Sequence, residues 1–260
     1  MEPANDMPFL YLRELTSSKR NSRRDRHLGY VLAFVAGAVN AGGFLAIGQY
    51  TSHMSGIVSG MADDLALGEV RLALAALAAW AAFVLGAATT ALLINWARRS
   101  QLRSQFALSL LVEAALLLLF GLAGVNLAAM RDVLAPVTVL LLCFIMGLQN
   151  AIITKVSGAV IRTTHVTGLC TDMGIELGKL FYFNRREIPG QVVYANRDKL
   201  KLHSLLIACF FMGGVSGALG FKYIGYSATI LLAALLALLT IGPIWYDLRL
   251  RWRLYRRSKM

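Results

Sequence analysis

The chain has 260 residues, of which 57% are hydrophobic and only 15% charged, and its formal net charge is +12. So apolar a composition excludes a soluble globular domain, which could not cover itself with polar side chains, and points to an integral membrane protein. The positive charge does not indicate nucleic acid, because the basic residues stand beside the ends of hydrophobic segments, where positive-inside topology and anionic lipid account for them.

In chain order, residues 1–27 carry Arg13, Lys19, Arg20, Arg23, Arg24 and Arg26 around a single apolar patch, FLYL, so there is no signal-peptide core. They read as a basic cytoplasmic tail, with an uncleaved first span starting at Leu28. About 20 mostly apolar residues cross a bilayer as helix. Runs of that kind are expected near 28–48, 72–97, 104–124, 133–154, 203–221 and 224–246. A second basic cytoplasmic tail, 248–260, follows a single membrane domain over 28–247. The fold expected is an all-α polytopic helical bundle in a bacterial inner (plasma) membrane, with both termini cytoplasmic.

Three blocks recur in order. GAVNA at 37–41 is echoed by GLQNA at 147–151, and SHMSG at 52–56 by THVTG at 164–168. AAFVLGAATTALL at 81–93 and CFFMGGVSGALGF at 209–221 share the order Phe, two residues, Gly, then small residues. The chain therefore reads as two copies of a unit of about 110 residues, 28–124 and 133–246, a plan common in transporters.

The segment after each copy's first span is poorly suited to lipid. Residues 52–68 include Ser52, His53, Ser55, Ser59, Asp63 and Asp64, and residues 163–183 include Thr163, Thr164, His165, Thr167, Thr171, Asp172, Glu176 and Lys179. Both read as interrupted or re-entrant helices shielded by protein or lining a wet cavity. Left uncrossed, they give six spans and place only Arg71, Arg131 and Lys222 of the 26 basic residues outside. Six spans put an odd number of crossings in each copy and invert the second. Eight spans, with parallel copies, are the less favoured alternative.

The candidate chemistry lies in these blocks. Asn40 and Asn150 each share a helical face with a glycine one turn earlier, which suits either a cleft between two related helices or packing glued by an Asn hydrogen bond. Ser52, Ser55, Thr163, Thr164 and Thr167 supply hydroxyls where a helix starts, and such a start at membrane depth can hold an anion or a polar head group. His53 and His165 occupy matching places and titrate in the neutral range when unperturbed. The expected solute-binding set is Asn40, His53, Ser55, Asn150, Thr164, His165 and Thr167. Glu113, alone among apolar neighbours in its span, and Asp172 are candidate proton-coupling residues. Glu176 is expected to pair with Lys179, and Asp63 and Asp64 to end a helix near water.

Cys143, Cys170 and Cys209 show no metal or redox spacing and read as packing residues. GVSG at 214–217 has the Gly-x-Ser-Gly form of rhomboid-type intramembrane proteases, but no histidine follows Ser216 to act as base. With no HExxH, no phosphate-binding loop and no Cys cluster, neither an enzyme nor a resident metal or cofactor is expected.

GAVNA, SHMSG, GLQNA and THVTG, in this order and at these distances, resemble the YoaK-like family of bacterial inner-membrane proteins, a domain of unknown function, over about 28–247. Gln149 and Asn150 carry its most specific part. The chain departs from that pattern at Asn40, where the family has Asp, and at Ile57, where it often has Asn. The resemblance implies a six-span-type membrane protein and small-molecule transport, with no substrate attached. The function expected is a secondary transporter or permease of a small polar or anionic solute, with its site between the two copies. The alternative is a membrane scaffold or partner-binding protein, and a second copy of the chain is a candidate partner.

Overall fold

The computed structural model describes residues 22–102, 104–129, 131–184 and 192–258. The expected N-terminal tail lies outside it through residue 21. Its helices are α1 (Ser22–Ile47), α2 (Met54–Ala66), α3 (Val70–Arg99), α4 (Ala107–Ala129), α5 (Arg131–Val156), α6 (Val166–Phe181), α7 (Arg197–Ile224) and α8 (Ala228–Ser258), with a short 3-10 turn at Gly225–Ser227. No strand occurs among the described residues.

The protein is a helical membrane bundle. Arg23–Leu45, Val70–Arg99, Ala135–Val156 and the stretch Arg197–Trp252, which holds α7 and α8, are long and apolar enough to cross a membrane, and Ala107–Leu122 is a shorter apolar helix. Each of the six segments expected from hydropathy falls on one of α1, α3, α4, α5, α7 and α8. The helices run past the expected spans into the charged ends. α1 starts at Ser22, and α8 continues to Ser258 through residues read from sequence as tail. LRLRWRLYRRS contains no glycine or proline to stop it, and Leu and Arg are strong helix formers. Asp247 fixes this end, its Oδ2 accepting from Ser104 N at 3.0 Å and Ser104 Oγ at 2.6 Å.

Turn chemistry shapes the connections. Gly68 (φ 80°) lets α2 reverse into α3, and Gly225 (φ 62°) does the same between α7 and α8. Asn196 caps α7, accepting from Lys199 N at 3.0 Å.

Two helix pairs are packed backbone to backbone, and both use one motif. Gly37 of α1 meets the Phe210 carbonyl of α7, while Gly213 of α7 meets the Phe34 carbonyl of α1. Gly147 of α5 meets the Phe83 carbonyl of α3, while Gly86 of α3 meets the Phe144 carbonyl of α5. All four helices thus carry Phe-x-x-Gly, and each glycine lets the partner's Phe carbonyl approach where a Cβ would stand. One turn on, Gly217 lies against Ala38, and Thr90 Oγ1 donates to the Leu148 carbonyl at 3.0 Å.

These contacts give directions. Phe34, Ala38 and Gly42 advance along α1 as Gly213, Gly217 and Phe221 advance along α7, so the two are parallel; α3 and α5 are parallel by the same reasoning. Gly29 meets Ile153 and Gly43 meets Leu142, so α1 and α5 are antiparallel. Thr229 Oγ1 donates to the Leu117 carbonyl at 3.1 Å while Asp247 holds Ser104, so α4 and α8 are antiparallel. The core fills the space between these pairs with Leu28, Leu32, Leu110, Leu117, Leu142 and Ile145, all fully buried.

Candidate functional site

The two polar strings fold alike. After α1 the chain turns back, and Ser52 donates from its backbone N at 3.1 Å and its Oγ at 2.9 Å to Asn40 Oδ1. After α5, Thr164 Oγ1 donates to Asn150 Oδ1 at 2.6 Å. Asn150 Nδ2 is also used, donating to the Met146 carbonyl at 2.9 Å.

The next residue in each string begins a helix. His53 is the N-cap of α2 and His165 that of α6, and neither makes a side-chain capping bond. From the sequence, the hydroxyls were the expected caps; Ser52 and Thr164 instead face back to the Asn residues. The imidazoles lie over the first turn, where a Cβ at Gly56 or Gly168 would strike the ring of His53 or His165. The spacing Ser/Thr-His-x-Ser/Thr-Gly therefore has a geometric reason: the first residue anchors to Asn, His starts the helix, and Gly makes room for the ring. Burial repeats as well. Thr51 and Thr163 are buried, His53, His165, Ser55 and Thr167 exposed, and Ile57 and Leu169 buried.

Each string joins two parts of the bundle. The first is tied to Asn40 of α1, yet α2 packs on α3, with Ile57 clustered with Ala79 and with Cys143 of α5. The second is tied to Asn150 of α5, yet α6 packs on α7, with Ser204 Oγ donating to Met173 Sδ at 3.4 Å. The contacts of Gly29 with Ile153 and Gly43 with Leu142 set Gly37 and Gly147 at one level. Asn40 and Asn150 follow those glycines on antiparallel helices, so they flank that level about 9 Å apart along the axis. α2 and α6 lead away from it in opposite directions, and both helix starts face it. His53 and His165 thus stand on either side of the mid-level.

The remaining candidates separate. Asp172 is half-exposed and bonded to Lys199 Nζ at 3.2 Å, with His203 Nε2 at 4.0 Å. Glu176 pairs with Lys179 at 2.9 Å, as its spacing implied, and Oε2 accepts from Asn196 N at 2.7 Å. The Asn196 N–H, then Lys179, hold this carboxyl below its ordinary range. Asp63 is exposed near the end of α2, and Ser216 Oγ donates to the Met212 carbonyl at 2.8 Å on an exposed helix face. Cys143 is buried, Cys209 partly so, and Cys170 is exposed on α6.

Glu113 is fully buried, and neither carboxylate oxygen has a hydrogen-bond partner among the described residues. The same is true of the Ser109, Thr51 and Thr163 hydroxyls and of both polar atoms of Gln149. Of these, Glu113 and Thr163 are named by the sequence, Glu113 as a coupling residue and Thr163 as a hydroxyl at a helix start. Gln149 had a signal, as a polar residue inside the apolar face of GLQNA; Ser109 had a weaker one, lying one turn before Glu113.

A family profile described as proteins of unknown function (DUF1275) matches residues 28–242. The chain belongs to the DUF1275 family. The DUF1275 match takes in both strings, both Asn residues, Glu113 and all four Phe-x-x-Gly motifs, and the YoaK-like resemblance is consistent with it. No curated protein and no solved structure matches the chain.

Proposed function

We propose that this protein is a secondary transporter of a small polar or anionic solute, built from two inverted copies of one unit. α1 to α4 form the first copy and α5 to α8 the second. In this reading α1, α3, α4, α5, α7 and α8 cross the membrane, and α2 and α6 re-enter it. The helix directions support it: α1 and α3 run oppositely, so α2 between them returns to the side it left, and α6 does the same between α5 and α7. Each tightly packed pair then takes the first helix of one copy and the third of the other. The Lys and Arg distribution supports cytoplasmic termini in a bacterium, with anionic lipid at that face.

The observation that carries the reading is the pair of helix starts, each without a side-chain cap and each led by a histidine, that face one level from opposite sides. Their amides carry the positive ends of two helix dipoles, which suits an anionic or polar group between them. The strings bridge the two packed pairs, so a rocking of one pair against the other would remodel both half-sites together. Asn40 and Asn150 fix the strings, while His53, Ser55, His165 and Thr167 stand exposed for the solute. Because Asp172 is engaged by Lys199, Glu113 is the better-supported coupling residue.

One observation favours a scaffold instead: the Asn40 and Asn150 side-chain oxygens are both occupied within the fold. A thermal-shift screen of purified protein against anions, amino acids and nucleobases separates the two, run beside the His53→Ala/His165→Ala variant. A solute that stabilises only the wild type, and is then taken up by proteoliposomes, supports transport. Equal indifference of both proteins to every solute supports the scaffold.

A further inference from the structure

The bundle interior holds a second group of polar side chains, separate from the strings. Ser109 and Glu113 lie one turn apart on α4, opposite the exposed Ala115, Leu118, Leu119 and Leu122. Gly121, two turns beyond Glu113, faces Thr229 and Ile230 of α8. Helical spacing turns Glu113 about 80° away from that contact. Since Glu113 is still fully buried, it faces the bundle's centre, where α5 is also packed against α4. On α5, Gln149 shares its face with Leu142 and Ile153, which meet Gly43 and Gly29 of α1. Glu113 lies as far before the end of α4 at Ala129 as Gly147 lies after the start of α5 at Arg131, and the two consecutive helices pack on each other, so Glu113 and Gln149 lie within about a turn of one level.

We propose that Ser109, Glu113 and Gln149 form a binding site for one alkali-metal cation in the core between α4 and α5, and that this cation drives the solute. The second half of the statement rests on the transport reading; the first does not. The site offers both Glu113 oxygens, Ser109 Oγ and Gln149 Oε1, all buried and without a hydrogen-bond partner among the described residues. Buried oxygens in that state are costly, and a single cation satisfies all of them. A proton would neutralise the carboxyl but leave the Ser109 and Gln149 oxygens as they are. One carboxylate balances one positive charge, which keeps the bilayer centre neutral. A divalent ion would leave net charge there, and carboxylate, hydroxyl and amide oxygens do not select soft transition metals. Among the described residues, no cluster of three or more His, Cys, Asp or Glu side chains is available to such a metal. Val39 precedes Asn40 where Gln149 precedes Asn150, so the site occurs once and one cation binds per chain.

The test is thermal unfolding of the full chain in detergent, with NaCl or KCl replacing choline chloride at constant ionic strength and pH. A saturable rise in Tm with Na+ or K+ is expected, absent in Glu113→Gln, with half-saturation raised roughly tenfold in Ser109→Ala and in Gln149→Leu. Ser109→Ala keeps the carboxylate, so it tests the site even where Glu113→Gln fails to fold. Binding of labelled Na+ at a stoichiometry of one agrees with the proposal. No cation dependence, a response to pH alone, or an equal response in Glu113→Gln overturns it. Repeating the solute screen in choline separates the two ideas: a solute shift with no cation response removes the cation site and leaves the transport reading standing. A cation response in a protein that binds no solute keeps the site and removes its coupling role.

Discussion

The contact between Gly37 and Phe210 allows a worked test of the helix pairing. A Cβ added at Gly37 would fall 1.9 Å from the Phe210 carbonyl oxygen and 2.9 Å from Gly214 N. Both are backbone atoms, so neither can swing aside as a flexible side chain would. α1 and α7 must separate by about 1.5 Å before ordinary contact returns, which also opens the reciprocal Gly213–Phe34 contact. Overpacking on that scale costs about 3 kcal/mol. Against this, alanine gains about 1 kcal/mol over glycine inside a helix. Gly37→Ala should therefore lose about 2 kcal/mol net. Gly174, also helical but with nothing within 4 Å of an added Cβ, is the control. Gly174→Ala should gain about 1 kcal/mol, so the two variants should differ by about 3 kcal/mol. Gly147→Ala, against the Phe83 carbonyl, should behave like Gly37→Ala. Reversible chemical unfolding in detergent reads the differences. If Gly37→Ala and Gly147→Ala prove as stable as Gly174→Ala, the backbone-to-backbone pairing of α1 with α7 and α3 with α5 is wrong.

Asn40→Ala removes the acceptor that holds Ser52, and Asn150→Ala the one that holds Thr164. Each should cost about 1 kcal/mol and speed hydrogen exchange in the first turn of α2 or α6, with the other string unaffected; equal exchange in both strings would show that the bonds do not hold them separately. Asp247→Leu strips both hydrogen bonds from Ser104 and should cost about 2 kcal/mol, detected as easier unfolding and faster exchange at the start of α4. Glu176 gives a pH dependence. Its folded pKa lies below the ordinary 4.5, so its stabilisation is fully present above that value and is lost as pH falls through the folded value. The stability gap between wild type and Glu176→Gln should be flat at neutral pH and close under acid; a gap that grows on acidification would contradict the pairing with Asn196 and Lys179.

The sequence by itself determined the apolar segments that became α1, α3, α4, α5, α7 and α8, because a run of Leu, Ala and Val long enough for a bilayer has few other outcomes. It also marked both breaks, since Ser52–Gly56 and Thr164–Gly168 put hydroxyls and imidazoles where lipid could not solvate them. The pairing Glu176–Lys179 was legible too, being local in the chain. What only tertiary structure decided is partnership. The glycine of GAVNA announces a close contact, but nothing in its spacing says that the partner is Phe210 and not Phe83, because small-residue faces are mutually compatible and a backbone carbonyl leaves no trace in sequence. Phe34 and Phe144 stand in the same Phe-x-x-Gly spacing as Phe83 and Phe210, yet that spacing does not say which glycine each carbonyl meets. The roles within each string were likewise settled by folding: a Ser or Thr before the N-cap can turn to the helix or to Asn40 and Asn150, and only the approach of the returning chain to that Asn makes the second choice available. Gln149 shows the limit most plainly. Its chemistry is written in the chain, but its burial beside α1 depends on which face α5 turns inward, and that is a property of the whole bundle.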